Sequence, residues 1–247
     1  MATTVTYKGQ VLVTVDNSTK VLETSGTWCE DDFTLVDVSG GGSGEWTTEG
    51  IAKATEPNGV IVLGSSVTSL VNSPFRGTPI TSFTADYVTS NIPNDYLSGC
   101  TSLASISMAN LNRTSGNYWF SGCSDLTNVN LPKQTVVRDN IFRGCTSLAF
   151  IDMPACTTIS TNGFYGCTNL ATIVLRNTTV VALTNVNAFQ NTRYASGGGG
   201  GDVYIPETLY NHLGDGTALD YQSASNWITL YNAGTVTFKK IEGSIYE

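Results

Sequence analysis

Charge is scarce in this chain. Only 13% of its 247 residues are Asp, Glu, Lys or Arg, against about 25% in ordinary domains. What charge there is leans acidic, with 20 Asp and Glu against 12 Lys and Arg, a net of −8. Without a basic face the chain cannot displace counterions from phosphates, which excludes nucleic acid as a partner and disfavours anionic membranes. No run approaches the roughly 20 apolar residues needed to span a bilayer, so no membrane insertion is expected. The opening residues Met1 to Lys8 hold no basic segment followed by an apolar run. No signal peptide is therefore visible, and synthesis in a cytoplasm is expected.

Histidine is rarer still. His212 stands alone, with no paired Ser, Cys or carboxylate at a recognisable spacing, so a nucleophilic triad has no basis. No Cys-x-x-Cys pair exists to hold zinc. Glu30-Asp31-Asp32 is the densest acidic cluster, but it lacks the regular ligand spacing of a calcium loop and reads as a solvated turn or an intermodule contact. The Gly-rich runs at 39–44 and 196–201 are not followed by Lys-Ser/Thr or by a βαβ unit, so no phosphate loop is present. Acidic residues in the middle of the chain are few: Asp86, Asp95, Asp125, Asp139 and Asp152. The expectation is a protein that is not an enzyme and carries no cofactor or metal.

What the chain does have is a repeat. Gly-Cys pairs recur at Cys100, Cys123, Cys145 and Cys167, spaced 23, 22 and 22 residues apart. Each is followed three residues later by Leu103, Leu126, Leu148 or Leu170, then by Ile106, Val129, Ile151 or Ile173, then by Met108, Leu131, Met153 or Leu175. Leu97, Phe120, Phe142 and Phe164 stand just ahead of the pairs, and Phe75 and Phe189 extend that slot outward, with Thr78 and Thr192 in place of cysteine. A fixed period of this length signals a solenoid whose coils bury their apolar positions only against neighbours. Alternating runs such as Leu170 to Leu175 predict one short strand per coil, stacked in parallel. Pro132 and Pro154 end two of those strands by removing a donor. The fold class is thus mainly β: a repeat solenoid with short parallel strands, a small N-terminal β module and a helical and strand cap.

Six cysteines invite a disulfide framework, but their periodicity argues against one. Cys100, Cys123, Cys145 and Cys167 are expected to form an inward structural ladder of reduced, apolar side chains. A hydroxyl in their place would be a buried donor without a partner.

Three regions follow. Residues 1–45 read as a small β-rich attachment module, with strands at 11–15 and 33–38 and a flexible glycine linker at 39–44 that leaves it free to orient. Residues 46–206 hold about six coils, the last interrupted by a loop at 196–201 that is expected to be mobile. Residues 207–247 form a cap with a helix beginning at Glu207, a second helical stretch around 219–227 and a final strand at 235–238.

The pattern Phe-x-Gly-Cys-x-x-Leu-x-x-Ile-x-Leu-Pro, best at Phe142 to Pro154, resembles the BspA-type leucine-rich repeat of bacterial surface antigens. Val203 to Pro206, Tyr221 to Trp227 and Ile241-Glu242 resemble the usual ending of such arrays, apart from an insertion around 214–218. Tyr7-Lys8-Gly9 and Lys20 to Leu35 are similar to a short β-module of phage tail-associated proteins. This double resemblance implies a virion component, tail or other surface, that presents a recognition solenoid to a bacterial glycan or protein. Residues 1–45 would contact other virion proteins or form a homo-oligomer. Localisation would be the virion, assembled in the host cytoplasm. The alternatives are a bacterial surface or secreted adhesin, and a purely structural decoration protein of the virion. Tyr118, Trp119, Tyr165 and Tyr96 flank the repeated aromatic slot and are the candidate binding residues. They either stack on a ligand or pack the convex side of neighbouring coils.

Overall fold

The computed structural model describes residues 3–7, 10–15, 20–24, 32–39, 59–63, 67–70, 75–89, 92–222, 224 and 226–242. Each coil contributes a short strand to one side of a solenoid. The strands are β5 (Gly59–Leu63), β7 (Ile80–Thr84), β8 (Ser105–Ser107), β9 (Asn128–Asn130), β11 (Phe150–Asp152), β13 (Thr172–Val174) and β15 (Gly201–Ile205). The pairings are parallel and in register, with Phe83 opposite Ile106, Ile106 opposite Val129 and Ile151 opposite Ile173. Period-2 alternation aims those middle residues inward and leaves Ser, Thr and Asn on the outer face. On the opposite side β10 (Val136–Val137), β12 (Thr158–Ile159) and β14 (Ala182–Leu183) form a second parallel ladder.

The turn before each strand explains the Gly-Cys motif. Gly99, Gly122, Gly144 and Gly166 all sit at φ between 74° and 77°, a left-handed conformation that side chains disfavour. Their N–H groups donate to the next coil: Gly122 to Arg143 O at 2.7 Å and Gly144 to Tyr165 O at 2.7 Å. The aromatic slot beside them forms a continuous stack, with ring centroids 5.5 Å apart for Phe120–Phe142, 5.4 Å for Phe142–Phe164 and 5.7 Å for Phe164–Phe189. Cys100, Cys123, Cys145 and Cys167 are fully buried and unpaired. The expectation of an unpartnered donor in this slot is corrected here. Each thiol reaches the carbonyl of the aromatic-slot residue one coil earlier: Cys100 that of Phe75 at 2.9 Å, Cys123 that of Leu97 at 3.2 Å, Cys145 that of Phe120 at 3.2 Å, and Cys167 that of Phe142 at 2.9 Å. In the outer coils Thr78 and Thr192 instead donate to Phe75 O and Phe189 O of their own coil.

The slot just before the aromatic tapers along the solenoid. Tyr96, Trp119, Ile141, Gly163 and Ala188 occupy it, all buried. Bulk lost at Gly163 is replaced from the neighbouring coil, since a Cβ there would lie 2.8 Å from Val137 Cγ1.

At the N-terminal end, β3 (Lys20–Thr24) and β4 (Asp32–Ser39) form an antiparallel hairpin, and β4 pairs in parallel with β5. The segment expected to orient freely is thus registered to the edge of the solenoid sheet. β1 (Thr3–Tyr7) and β2 (Gln10–Val15) form a second hairpin that pairs with β6 (Val67–Leu70). Of the linker expected at 39–44, Ser39 ends β4, and the rest, like Glu30 and Asp31, lies outside the described residues.

At the other end a short helix spans Glu207–Tyr210, as read from Pro206 and Glu207, and β16 (Val236–Lys240) closes the sheet beside β15. The second helix is Trp227–Asn232, starting where the expected stretch at 219–227 ends. Asp220 is the reason: its carboxylate accepts from the N–H groups of Gly216 and Gln222 and holds this stretch in turns. The loop at 196–201 is also tied down, by Arg193 Nε donating to Gly200 O at 3.0 Å and Gly200 N–H returning to Arg193 O at 2.9 Å. Among the described residues, no helix is long and apolar enough to cross a membrane.

Candidate functional site

Two of the four aromatics expected to touch a ligand are inside. Trp119 and Tyr96 are both 0% exposed, placed in the tapering core slot where one wide side chain fills the space between coils. Tyr96 packs edge-on against Phe75 and Phe83 at 5.8 Å. They are corrected from candidate contacts to packing residues. Tyr118 and Tyr165 do reach the surface. Tyr165 lies beneath the Arg143 guanidinium at 5.0 Å, and its hydroxyl accepts from Asn191 Nδ2 at 2.9 Å. That makes it a surface brace across coils. His212 pairs with Asp215 at 2.5 Å on an exposed loop. The Thr217 N–H and then His212 hold the Asp215 carboxyl below its usual range.

The strand face carries a feature that no periodic reading announces. Among the described residues β9 and β11 do not pair, so the strands divide into a sheet ending at β9 and a second beginning at β11. Around this gap the coils stay joined: Ser147 N–H bonds Ser124 O at 2.9 Å, Thr157 N–H bonds Thr135 O at 2.8 Å, and β10 pairs with β12 behind. A cleft of about 410 Å³ opens between the two strands. Val129 forms part of its floor and is only half-buried, while Ile106, Ile151 and Ile173 in the same slot are buried.

The local sequence accounts for the opening. Asn128 and Asn130 occupy both outward positions of β9, and Asn is a poor strand former. Phe150 stands opposite, on an outward row where nearby coils carry Ser82, Ser105 and Thr172. Thr127, Asn128 and Asn130 form an exposed polar rim, while Pro132, Pro154 and Phe150 supply apolar walls. Asp152 closes one end and is held by Arg176, whose Nε and Nη2 donate to Oδ2 at 3.0 and 2.8 Å. The arrangement is a polar-rimmed, apolar-floored cleft whose lining includes one carboxylate, Asp152, and no His, Cys or Lys.

Residues 59–149 match the BspA type Leucine rich repeat region, in six copies. The stacked coils beyond it, through Phe164 and Phe189, continue the leucine-rich-repeat solenoid with the same turn and strand. Among curated proteins none matches the chain. Among solved structures, a leucine-rich repeat protein from Bacteroides ovatus is 20% identical with a TM-score of 0.41, covering 74% of this chain and 48% of its own. The T. pallidum leucine-rich repeat protein is 19% identical with a TM-score of 0.41, covering 74% of this chain and 72% of its own. A leucine-rich cell surface protein from Faecalibacterium prausnitzii is 20% identical with a TM-score of 0.30, covering 54% of this chain and 52% of its own. The chain thus spans about half the length of the B. ovatus protein.

Proposed function

We propose that this chain is a non-enzymatic recognition protein whose solenoid binds a ligand on the bacterial surface through the cleft between β9 and β11. The observation that carries the reading is the interruption that, among the described residues, breaks the strand ladder once between β7 and β15 and opens apolar Val129 beneath a rim of amides. A volume of about 410 Å³ falls within the roughly 300–1,000 Å³ of small-ligand sites. Fluorescently labelled full chain should decorate bacterial cells, and Asn128→Trp, which fills the cleft from an exposed position, should abolish the labelling. Equal labelling by the variant would refute a role for the cleft.

The solenoid's carrier, in this proposal, is a phage particle, contacted through residues 1–45. Support comes from the likeness of Tyr7 to Gly9 and Lys20 to Leu35 to a tail-associated module. A bacterial surface adhesin is the second reading, favoured by the BspA-type match over 59–149. Purified particles decide between them: the chain should be present by immunogold labelling, and its absence would favour the adhesin. A merely decorative virion protein would leave host adsorption unchanged when the solenoid is deleted.

A further inference from the structure

We infer that the cleft takes one pyranose ring of a neutral saccharide, an inference that rests on the recognition reading above. The first argument is shape. The opening is clamped on both sides, at Ser124–Ser147 and at Thr135–Thr157, where the coils keep ordinary backbone hydrogen bonds of 2.9 and 2.8 Å. Strands in a sheet lie about 4.8 Å apart, so seating another strand between β9 and β11 would double their separation. The clamps do not allow that over so short a span. A compact ring entering from the face meets no such obstacle.

The second argument is the rim. The Asn128 backbone N–H bonds Ala104 O at 3.0 Å, whereas its exposed side-chain carboxamide faces solvent. Asn130 donates Nδ2 to Ser107 Oγ at 2.8 Å, which leaves its Oδ1 as an acceptor. A carboxamide offers donors and an acceptor side by side, and neighbouring sugar hydroxyls require both. Beneath them half-buried Val129, with the Phe150 wall, presents carbon to the C–H face of a pyranose. A lipid or a purely apolar side chain would leave the amides desolvated and unpaired, at a cost.

The third argument is charge. No Lys or Arg lines the cleft. Arg176 is committed to Asp152, Lys133 just beyond the Pro132 wall donates to Asn110 Oδ1, and the chain as a whole carries −8. Uronic, sialic or phosphorylated sugars would therefore meet a carboxylate and no compensating cation.

A microarray of neutral and anionic bacterial oligosaccharides, probed with the full chain, tests this. Binding to neutral glycans is expected, weakened about tenfold by Asn128→Ala and by Asn130→Ala, a loss of roughly 1.4 kcal/mol each, and unchanged by Tyr165→Ala. Both asparagines are exposed, so circular dichroism should show the variants folded. Binding confined to anionic glycans, neutral binding indifferent to both variants, or a silent array would each overturn the saccharide. A silent array with cell labelling still lost in Asn128→Trp would leave the recognition reading standing and point to a protein ligand.

Discussion

The thiol of Cys145 donates to the carbonyl oxygen of Phe120, 3.2 Å away and one coil earlier. The bond makes the cysteine a small apolar filler that also satisfies the backbone of its neighbour. Serine offers a stronger donor but a shorter reach and less apolar volume. Cys145→Ser is therefore expected to cost only about 1 kcal/mol, because the hydroxyl keeps its partner. Leu148→Ala, three residues on and equally buried, should cost about 2–5 kcal/mol through its cavity. Urea unfolding midpoints check the order, and a serine variant less stable than the alanine variant would contradict the thiol's role as a satisfied donor.

The ladder also sets an alkaline limit. Burial raises the thiols of Cys100, Cys123 and Cys145 above their ordinary range and pushes Cys156 up to about 11. These groups are neutral when folded, and the unfolded chain ionises them near pH 8.5. Above that value the unfolded state binds fewer protons, so stability present at lower pH is lost as pH rises towards 11. Unfolding midpoints should fall across this window, less steeply in Cys156→Ala. At pH 8 the native thiols should resist a thiol reagent that labels them fully in denaturant. Rapid native labelling would mean the ladder is open.

Much of this fold was legible because a solenoid repeats its reasons. The left-handed glycine, the inward thiol and the aromatic stack each recur at one offset, so periodicity located them without any tertiary knowledge. The cleft was not legible in that way, because it arises between coils. Its trace was the departure from pattern: Asn128 and Asn130 where other strands place Ser or Thr, and Phe150 on an outward row. For Trp119 and Tyr96 the sequence left ligand stacking and packing both open, for a related reason. Their slot holds residues from Trp to Gly, so chemical type did not reveal that it faces inward, whereas its constant offset before the aromatic would have. The helix expected at 219–227 failed on Asp220, whose carboxylate binds backbone N–H groups in a turn.

That variable slot gives a sharp packing test. A Cβ at Gly163 would lie 2.8 Å from Val137 Cγ1 and 3.2 Å from Ser160 O. Gly163→Ala should therefore destabilise by about 1–3 kcal/mol through overpacking. Trimming Val137 to alanine removes the closer obstacle, so the double variant should lose less than the sum of the singles. A double-mutant cycle reads the coupling directly. Additive losses would place the strain at the Ser160 carbonyl instead.

Tyr118 stands at φ 61° in a position that Asp95, Asn140 and Asn162 fill in other coils at φ 59°, 61° and 58°. Asp and Asn tolerate the left-handed region, whereas a bulky aromatic there is strained. Tyr118 is 36% exposed, so its packing offsets that strain only in part. Tyr118→Asn should stabilise the solenoid by about 1 kcal/mol, raising its unfolding midpoint. A lowered midpoint would show that the ring contributes contacts worth more than the backbone strain. Tyr118 precedes β9 by ten residues and does not line the cleft. The same variant should thus leave cell labelling unchanged, and a loss of labelling with the fold intact would move the recognition surface from the strand face to the turn that carries Tyr118.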